Sequence, residues 1–159
     1  MPPMMRTEQQ MAFPGTFDAE HSRRGGNVAA DPRFPFGRKI LITEDNWLIA
    51  SEWEVSLLNA GYAVLGIAVS ADEVIDMCRH ETPDLILMDI RLVGARDGIH
   101  AAIEARHHFD VPSVFVSAHN DAGTRGRAAP ARPIGWITKP VDGAKIPQLL
   151  VQLARAARN

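Results

Sequence analysis

Residues 84–98 read DLILMDIRLVGARDG, and the organisation of the chain follows from how this stretch is interpreted. Leu85 to Met88 form an unbroken apolar run with no polar alternate, the pattern of a strand covered on both faces rather than half-exposed. Asp89 ends that run, a loop containing Gly94 follows, and Asp97 stands where it can cap a helix running from Ile99 through Ile103. A carboxyl directly after a buried strand sits on a rigid element. In parallel sheets, the carboxyl ends of strands are where ligand chemistry collects.

Outward from this segment the same texture repeats. Ile40-Leu41-Ile42, Ala63 to Val69, Val114 to Val116 and Ile134 to Thr138 are short runs, most of them rich in Val and Ile, and are expected to be strands. Between them lie helical spacings. Ile49, Trp53 and Leu57 share one face of a helix closed by Gly61; Ser70 and Glu73 form a capping box ahead of Val74, Ile75 and Cys78; Ile146, Leu149, Leu150 and Leu153 mark the last helix. Strand–helix alternation implies right-handed crossovers, a parallel sheet and helices on both faces. Asn120 to Pro133 interrupts the pattern with two glycines and two prolines among Arg125, Arg127 and Arg132, so the fourth helix is expected to be short or irregular and its arginines a solvated loop. Trp47 and Trp53 read as core or edge packing, and His100, His107 and His108 as a solvated helix face.

Residues 1–37 carry five of the 11 prolines and four of the 12 glycines, with four basic and four acidic side chains, too little apolar surface to offset the entropy of ordering. They are expected to be a disordered or irregular tail, and 38–159 a single domain. With 17 basic against 19 acidic residues, no broad cationic surface points to DNA. The single cysteine, Cys78, cannot form an internal bridge, and no apolar run reaches the roughly 18 residues of a membrane span. A cytoplasmic protein that uses neither DNA nor membrane is the expectation.

The ends of the expected strands supply a short set of polar groups: Glu44 and Asp45, Asp89, Ser117 and Lys139. Carboxylates about 5 Å apart at an effective dielectric of about 20 repel by about 3 kcal/mol per pair, so the cluster calls for positive charge. A hard, oxygen-seeking divalent cation, most naturally Mg²⁺, suits it, and no His/Cys cluster favours zinc. A metal, the Lys139 ammonium and the Ser117 hydroxyl would together serve the three equatorial oxygens of a transferring phosphoryl group, with Asp89 as the nucleophile.

The strings ILITEDNWLIA, DLILMDIRLVGARDGIHAA, VFVSAH and GWITKP resemble, in order and spacing, the receiver domain of two-component response regulators, with Asp45 and Asp89 44 residues apart, Asp89 and Ser117 28, and Ser117 and Lys139 22. The resemblance implies a flavodoxin-like, doubly wound five-stranded parallel sheet of order 2-1-3-4-5. It makes Asp89 the phosphoacceptor, Glu44, Asp45, Asp89 and the backbone carbonyl of Arg91 the Mg²⁺ ligands, Ser117 the switch hydroxyl, and Lys139 part of a Lys-Pro motif with a cis peptide. Trp136 takes the place of the rotating aromatic, and Arg91 and His119 flank the route of hydrolytic water and tune the lifetime of the acyl phosphate. It further implies a sensor histidine kinase as partner, docking on the first helix, Asn46 to Ala60, and on the loop after the fifth strand. A histidine phosphotransfer protein or a target protein is a further partner, and the assembly is a monomer or weak dimer. The activity would be confined to the protein's own phosphorylation and dephosphorylation.

Departures from the pattern are the loop DIRLVGARDG, the bulkier Trp136 and the thin fourth helix. Two other readings stay open at this point: an unphosphorylated degenerate receiver acting as a binding module, and a small Mg²⁺-dependent phosphatase with Asp89 as nucleophile. Against the phosphatase, the position two residues after Asp89, where such enzymes carry a second acid, is Arg91.

Overall fold

A computed structural model describes residues 31–158. The five apolar runs are strands β1 (Lys39–Thr43), β2 (Ala63–Ala68), β3 (Leu85–Met88), β4 (Ser113–Ser117) and β5 (Gly135–Thr138), all parallel and ordered β2-β1-β3-β4-β5. The expected flavodoxin-like, doubly wound architecture is therefore the observed one. Among the described residues the α-helices are α1 (Trp47–Asn59), α2 (Ala71–His80), α3 (Gly98–Phe109), α4 (Ala122–Ala128) and α5 (Ile146–Ala157).

Alternation along the strands divides the core into two layers. Leu41, Ile86, Met88 and Phe115 face α2 and α3 together with Val74, Ile99 and Ala102. Ile40, Ile42, Leu85, Leu87, Val114 and Val116 face the opposite layer with Trp53 and Leu57 of α1 and Ile146 and Leu150 of α5. β1, β3 and β4 have both faces covered. β2 differs from expectation: most of it is only half-buried, because it is an edge strand flanked on one side alone.

Local chemistry fixes the helix starts. The Asn46 side chain accepts from the backbone N–H groups of Leu48 and Ile49, Ser70 accepts from Glu73, and Asp97 accepts from His100. Glu73 reaches back to accept from Val69 N at 2.9 Å, one residue ahead of the N-cap donor that a regular capping box uses. Gly61, with φ +94°, turns the chain out of α1 in a left-handed conformation natural to glycine. α4 has seven residues and runs into a 3₁₀ turn at Ala129–Ala131, the short and irregular fourth helix that its Gly and Pro content dictates.

Several details correct the reading from sequence. Trp53 is fully buried as expected, but Trp47 is 75% exposed, because it opens α1 on the side away from the sheet. The arginines of the α4 region are not a free loop: Arg127 pairs with Asp97 at 2.7 Å, and the Arg125 guanidinium lies 5.1 Å from the centre of the Trp136 ring. His100 has a partner, its Nδ1 standing 2.8 Å from Asp97 Oδ1. Asp31 to Gly37 form turns, and Phe34 is buried edge-on against Tyr62, with centroids 4.8 Å apart. The expectation of a tail otherwise concerns residues 1–30, which lie outside the described residues. Among the described residues, no helix is long and apolar enough to cross a membrane.

Candidate functional site

The carboxyl ends of β1, β3, β4 and β5 deliver their polar groups to one edge of the sheet. Glu44 and Asp45 lie in the turn between β1 and α1, held there because Glu44 N donates to Ala68 O at 3.1 Å and Asn46 N donates to Glu44 Oε1 at 3.2 Å. Asp89 is fixed through a residue that the sequence reading missed. Thr43 is fully buried at the end of β1, its hydroxyl donating to Leu87 O at 3.1 Å and accepting from Asp89 N at 2.9 Å. Its signal was available: a polar residue closing the apolar run ILIT in register with Met88.

A second missed position is Gly98. A Cβ built there would lie 1.8 Å from the carbonyl oxygen of Asp89, so only glycine lets the start of α3 approach the strand so closely. Gly98 N donates to Ile90 O at 2.7 Å, which closes the loop DIRLVGARDG onto the residue after Asp89.

One carboxylate oxygen from each of Glu44, Asp45 and Asp89 lies within 4.8 Å of the others. Glu44 and Asp89 are buried and Asp45 is exposed, so the cluster has a dry side and a wet side. From β5, the Lys139 ammonium donates to Glu44 Oε2 at 2.6 Å and to Asp89 Oδ2 at 3.1 Å. Burial pushes the Glu44 carboxyl up, and the Lys139 hydrogen bond only partly opposes it. Burial would pull Lys139 down, but the hydrogen bond to Glu44 and the charge of Asp89 outweigh it, so the ammonium is held above its ordinary value. Three hard oxygen donors, open on the Asp45 side, fit a divalent cation of the Mg²⁺ type, whereas a soft or nitrogen-seeking metal would find no suitable ligand among them.

The other expected residues surround this centre. Ser117 is buried at the end of β4, its Oγ accepting from His119 N at 3.0 Å, so in this structure the hydroxyl serves its own loop and not Asp89. The Arg91 side chain reaches His119, Nη2 to Nε2 at 3.1 Å; since arginine can only donate, the imidazole accepts at Nε2. Trp136 on β5 is half-buried and stacks on Phe115, with centroids 4.6 Å apart and planes at 21°. Lys139-Pro140 is a cis peptide. Glu44, Asp45 and Asp89 thus lie together with Lys139 bridging the first and last of them, while Ser117, His119, Arg91 and Trp136 make pairings of their own.

Fold and site together define a doubly wound α/β domain with an acid–lysine cluster at the carboxyl edge of its sheet, consistent with a phosphorylation pocket. The family described as response regulator receiver domain matches residues 40–151, and the chain belongs to it. It is 32% identical over 116 residues to the transcriptional regulatory protein PdtaR of Mycobacterium tuberculosis, covering 73% of this chain and 55% of that protein. It is 30% identical over 129 residues to the phyllosphere-induced regulator PhyR of Methylorubrum extorquens, covering 80% of this chain and 46% of that one. The chain therefore spans about half the length of these curated relatives. Among solved structures, it resembles the signal receiver domain of a modulated diguanylate cyclase from Desulfovibrio desulfuricans G20, with TM-score 0.65, 29% identity and coverage of 76% of this chain and 95% of that one. It also resembles the response regulator PhyR from Brucella abortus, with TM-score 0.60, 28% identity and coverage of 76% and 49%.

Proposed function

We propose that this chain is a receiver that accepts a phosphoryl group on Asp89 from a histidine kinase and signals through altered protein binding or by passing the phosphate on. The observation that carries this reading is the Lys139 ammonium held between Glu44 and Asp89, with Asp45 completing an acidic triad. A solvated surface cluster would not bury two carboxylates around one lysine, because removing charges from water is costly unless they are used.

In the proposed reaction an oxygen of Asp89 attacks phosphorus, the P–N bond of a phosphohistidine or the P–O bond of an acyl phosphate donor breaks, and the leaving group departs with the bonding electrons. The Thr43 bond and the close approach of Gly98 hold the backbone of the nucleophile at the end of a buried strand. Lys139 follows the phosphoryl oxygens, and Ser117 gives up His119 N to donate to one of them. Mg²⁺ would be held by Glu44, Asp45, Asp89 and the Arg91 carbonyl, where it would supply charge neutralisation to the carboxylates and the phosphoryl group. The Arg91–His119 pair is assigned the tuning of the acyl phosphate's lifetime, which its mutual hydrogen bond supports by holding both side chains together. Trp136 on β5, in contact with Phe115 and Arg125, is assigned the role of the aromatic that responds to the change at Ser117.

The sensor kinase is assigned to α1 and the loop after β5. Trp47, Leu48, Val55 and Leu58 of α1 are exposed large hydrophobics, and a shallow apolar groove runs between α1 and the start of α5 past Leu48, Val55 and Pro147. A histidine phosphotransfer protein or a target protein would use the same face. The receiver unit is assigned to 38–159, acting in the cytoplasm as a monomer or weak dimer and catalysing only its own phosphorylation and dephosphorylation.

The test is incubation with Mg²⁺ and acetyl phosphate, followed by phosphate-affinity gel mobility and tryptophan fluorescence, with beryllofluoride as phosphoryl mimic. Labelling that disappears in Asp89→Asn is the expected result. Absence of labelling from both acetyl phosphate and a panel of histidine kinases, or turnover of an external phosphoester, would overturn the reading.

A further inference from the structure

We infer that Trp53 is a positioning residue for Lys139: its indole face lies beneath the ammonium, with Nζ 5.5 Å from the ring centroid, and holds it over the acidic triad. The inference rests on the proposed role of Lys139 and adds the element that keeps that side chain in place.

Lys139 carries its charge on a flexible four-carbon stem, and a loose lysine loses considerable rotamer freedom when it is confined. Two sides of its confinement are the carboxylates of Glu44 and Asp89. Both are partners that draw the ammonium back toward themselves when it has to turn to an incoming phosphoryl oxygen. The third side is different. An aromatic face attracts a cation through its quadrupole, with no lone pair to compete for a proton, so it holds the ammonium near the site without fixing it to one anion.

Trp53 is suited to this by being immobile. It is fully buried in the layer formed by Ile42, Leu57, Val116 and Leu150, and with Lys139, Pro140 and Val141 it lines a groove of about 270 Å³ that opens beside the site. Packing alone does not account for an indole here. Among the described residues its Nε1 is buried with no hydrogen-bond partner, a cost that an aliphatic side chain of similar reach would not incur. The face, not the N–H, is what the position uses.

The chain has only three lysines, Lys39, Lys139 and Lys145, which makes the contact directly observable. In the full chain with lysine labelled at the ε-carbon, the ε-CH₂ protons of Lys139 are expected upfield of the other two, displaced by the ring current, and in Trp53→Leu that displacement should vanish. Labelling of Asp89 by acetyl phosphate should slow by about 3- to 10-fold in Trp53→Leu and be largely kept in Trp53→Phe, which retains an aromatic face. In a Lys139→Ala background the Trp53→Leu change should leave the residual labelling unaltered. Three coincident lysine signals in the unsubstituted protein, or an equal slowing with and without Lys139, would overturn the inference. If Trp53→Leu fails to fold, the lysine spectrum of the unsubstituted chain and the Trp53→Phe kinetics still decide it. An unsubstituted protein that takes no phosphate on Asp89 refutes the receiver reading instead, and leaves the spectroscopic result standing.

Discussion

Replacing Gly98 by alanine tests how Asp89, the proposed phosphoacceptor, is held. The added methyl would stand 1.8 Å from the Asp89 carbonyl oxygen, 2.8 Å from its carbon and 3.0 Å from Ile90 Cα, all backbone atoms. Comfortable contacts with carbon begin at about 3.5 Å, so the start of α3 must retreat by more than about 1 Å. No flexible side chain is present to absorb the shift. The retreat breaks the 2.7 Å bond from Gly98 N to Ile90 O and disturbs the Asp97 cap at the same time. Overpacking against a rigid obstacle, plus one lost hydrogen bond, amounts to about 3 kcal/mol or more. For a domain of this size, that lowers Tm by about 10 °C in a calorimetric scan. Gly126→Ala is the matched control: nothing lies within 4 Å of its Cβ in the middle of α4, so it should gain about 0.5–1 kcal/mol. A Gly98→Ala protein melting within about 2 °C of the unsubstituted chain would refute the claim that backbone approach fixes Asp89.

Lys139→Ala leaves the buried carboxylates of Glu44 and Asp89 without their cation and should cost about 3–5 kcal/mol in chelator, with millimolar Mg²⁺ restoring much of it; urea titrations with and without the metal measure both. Substituting both Arg91 and His119 by alanine should change the first-order loss of phosphate from labelled protein; an unaltered half-life removes the pair from the hydrolytic route. The Cys78 thiol, raised by burial from 9.0 to about 11, should resist thiol reagents at pH 8 in the folded protein. Because the folded value is the higher one, its contribution of about 2–3 kcal/mol is complete below pH 9 and is lost as pH rises through 11. The stability difference between the unsubstituted chain and Cys78→Ala should therefore shrink over that interval. Asp97 moves oppositely: burial would raise it, but the hydrogen bonds from Arg127 and His100 prevail and lower it. Its tether to α4 is therefore complete above the ordinary aspartate range and is released only as pH falls below that range, which amide exchange in Ala122–Ala128 would detect.

Much of the architecture was legible because it depends on short-range rules. A continuous apolar tetrapeptide such as Leu85 to Met88 can satisfy its burial only between two layers, and Asn46, Ser70 and Asp97 cap their helices through neighbours two or three residues away. Glu44, Asp45, Asp89 and Lys139 could be picked out because a parallel sheet gathers the carboxyl ends of its strands, so their position along the chain already implied a common edge. What depended on distance in space could not be read. Thr43 stands out in the sequence only as a polar end to ILIT, and the register of β1 against β3 is what sets it on the Asp89 backbone; Gly98 looks like a loop glycine until the docking of α3 brings it against the Asp89 carbonyl. Trp47 and Trp53 occupy similar helical positions in sequence, and only the docking of α1 sends one into solvent and the other under Lys139. Arg127 finds Asp97 across 30 residues of chain. Periodicity and capping are properties of neighbouring residues and survive in a linear string. Hydrogen bonds and ring-to-cation contacts between strands and helices exist only once the crossovers have fixed which faces meet.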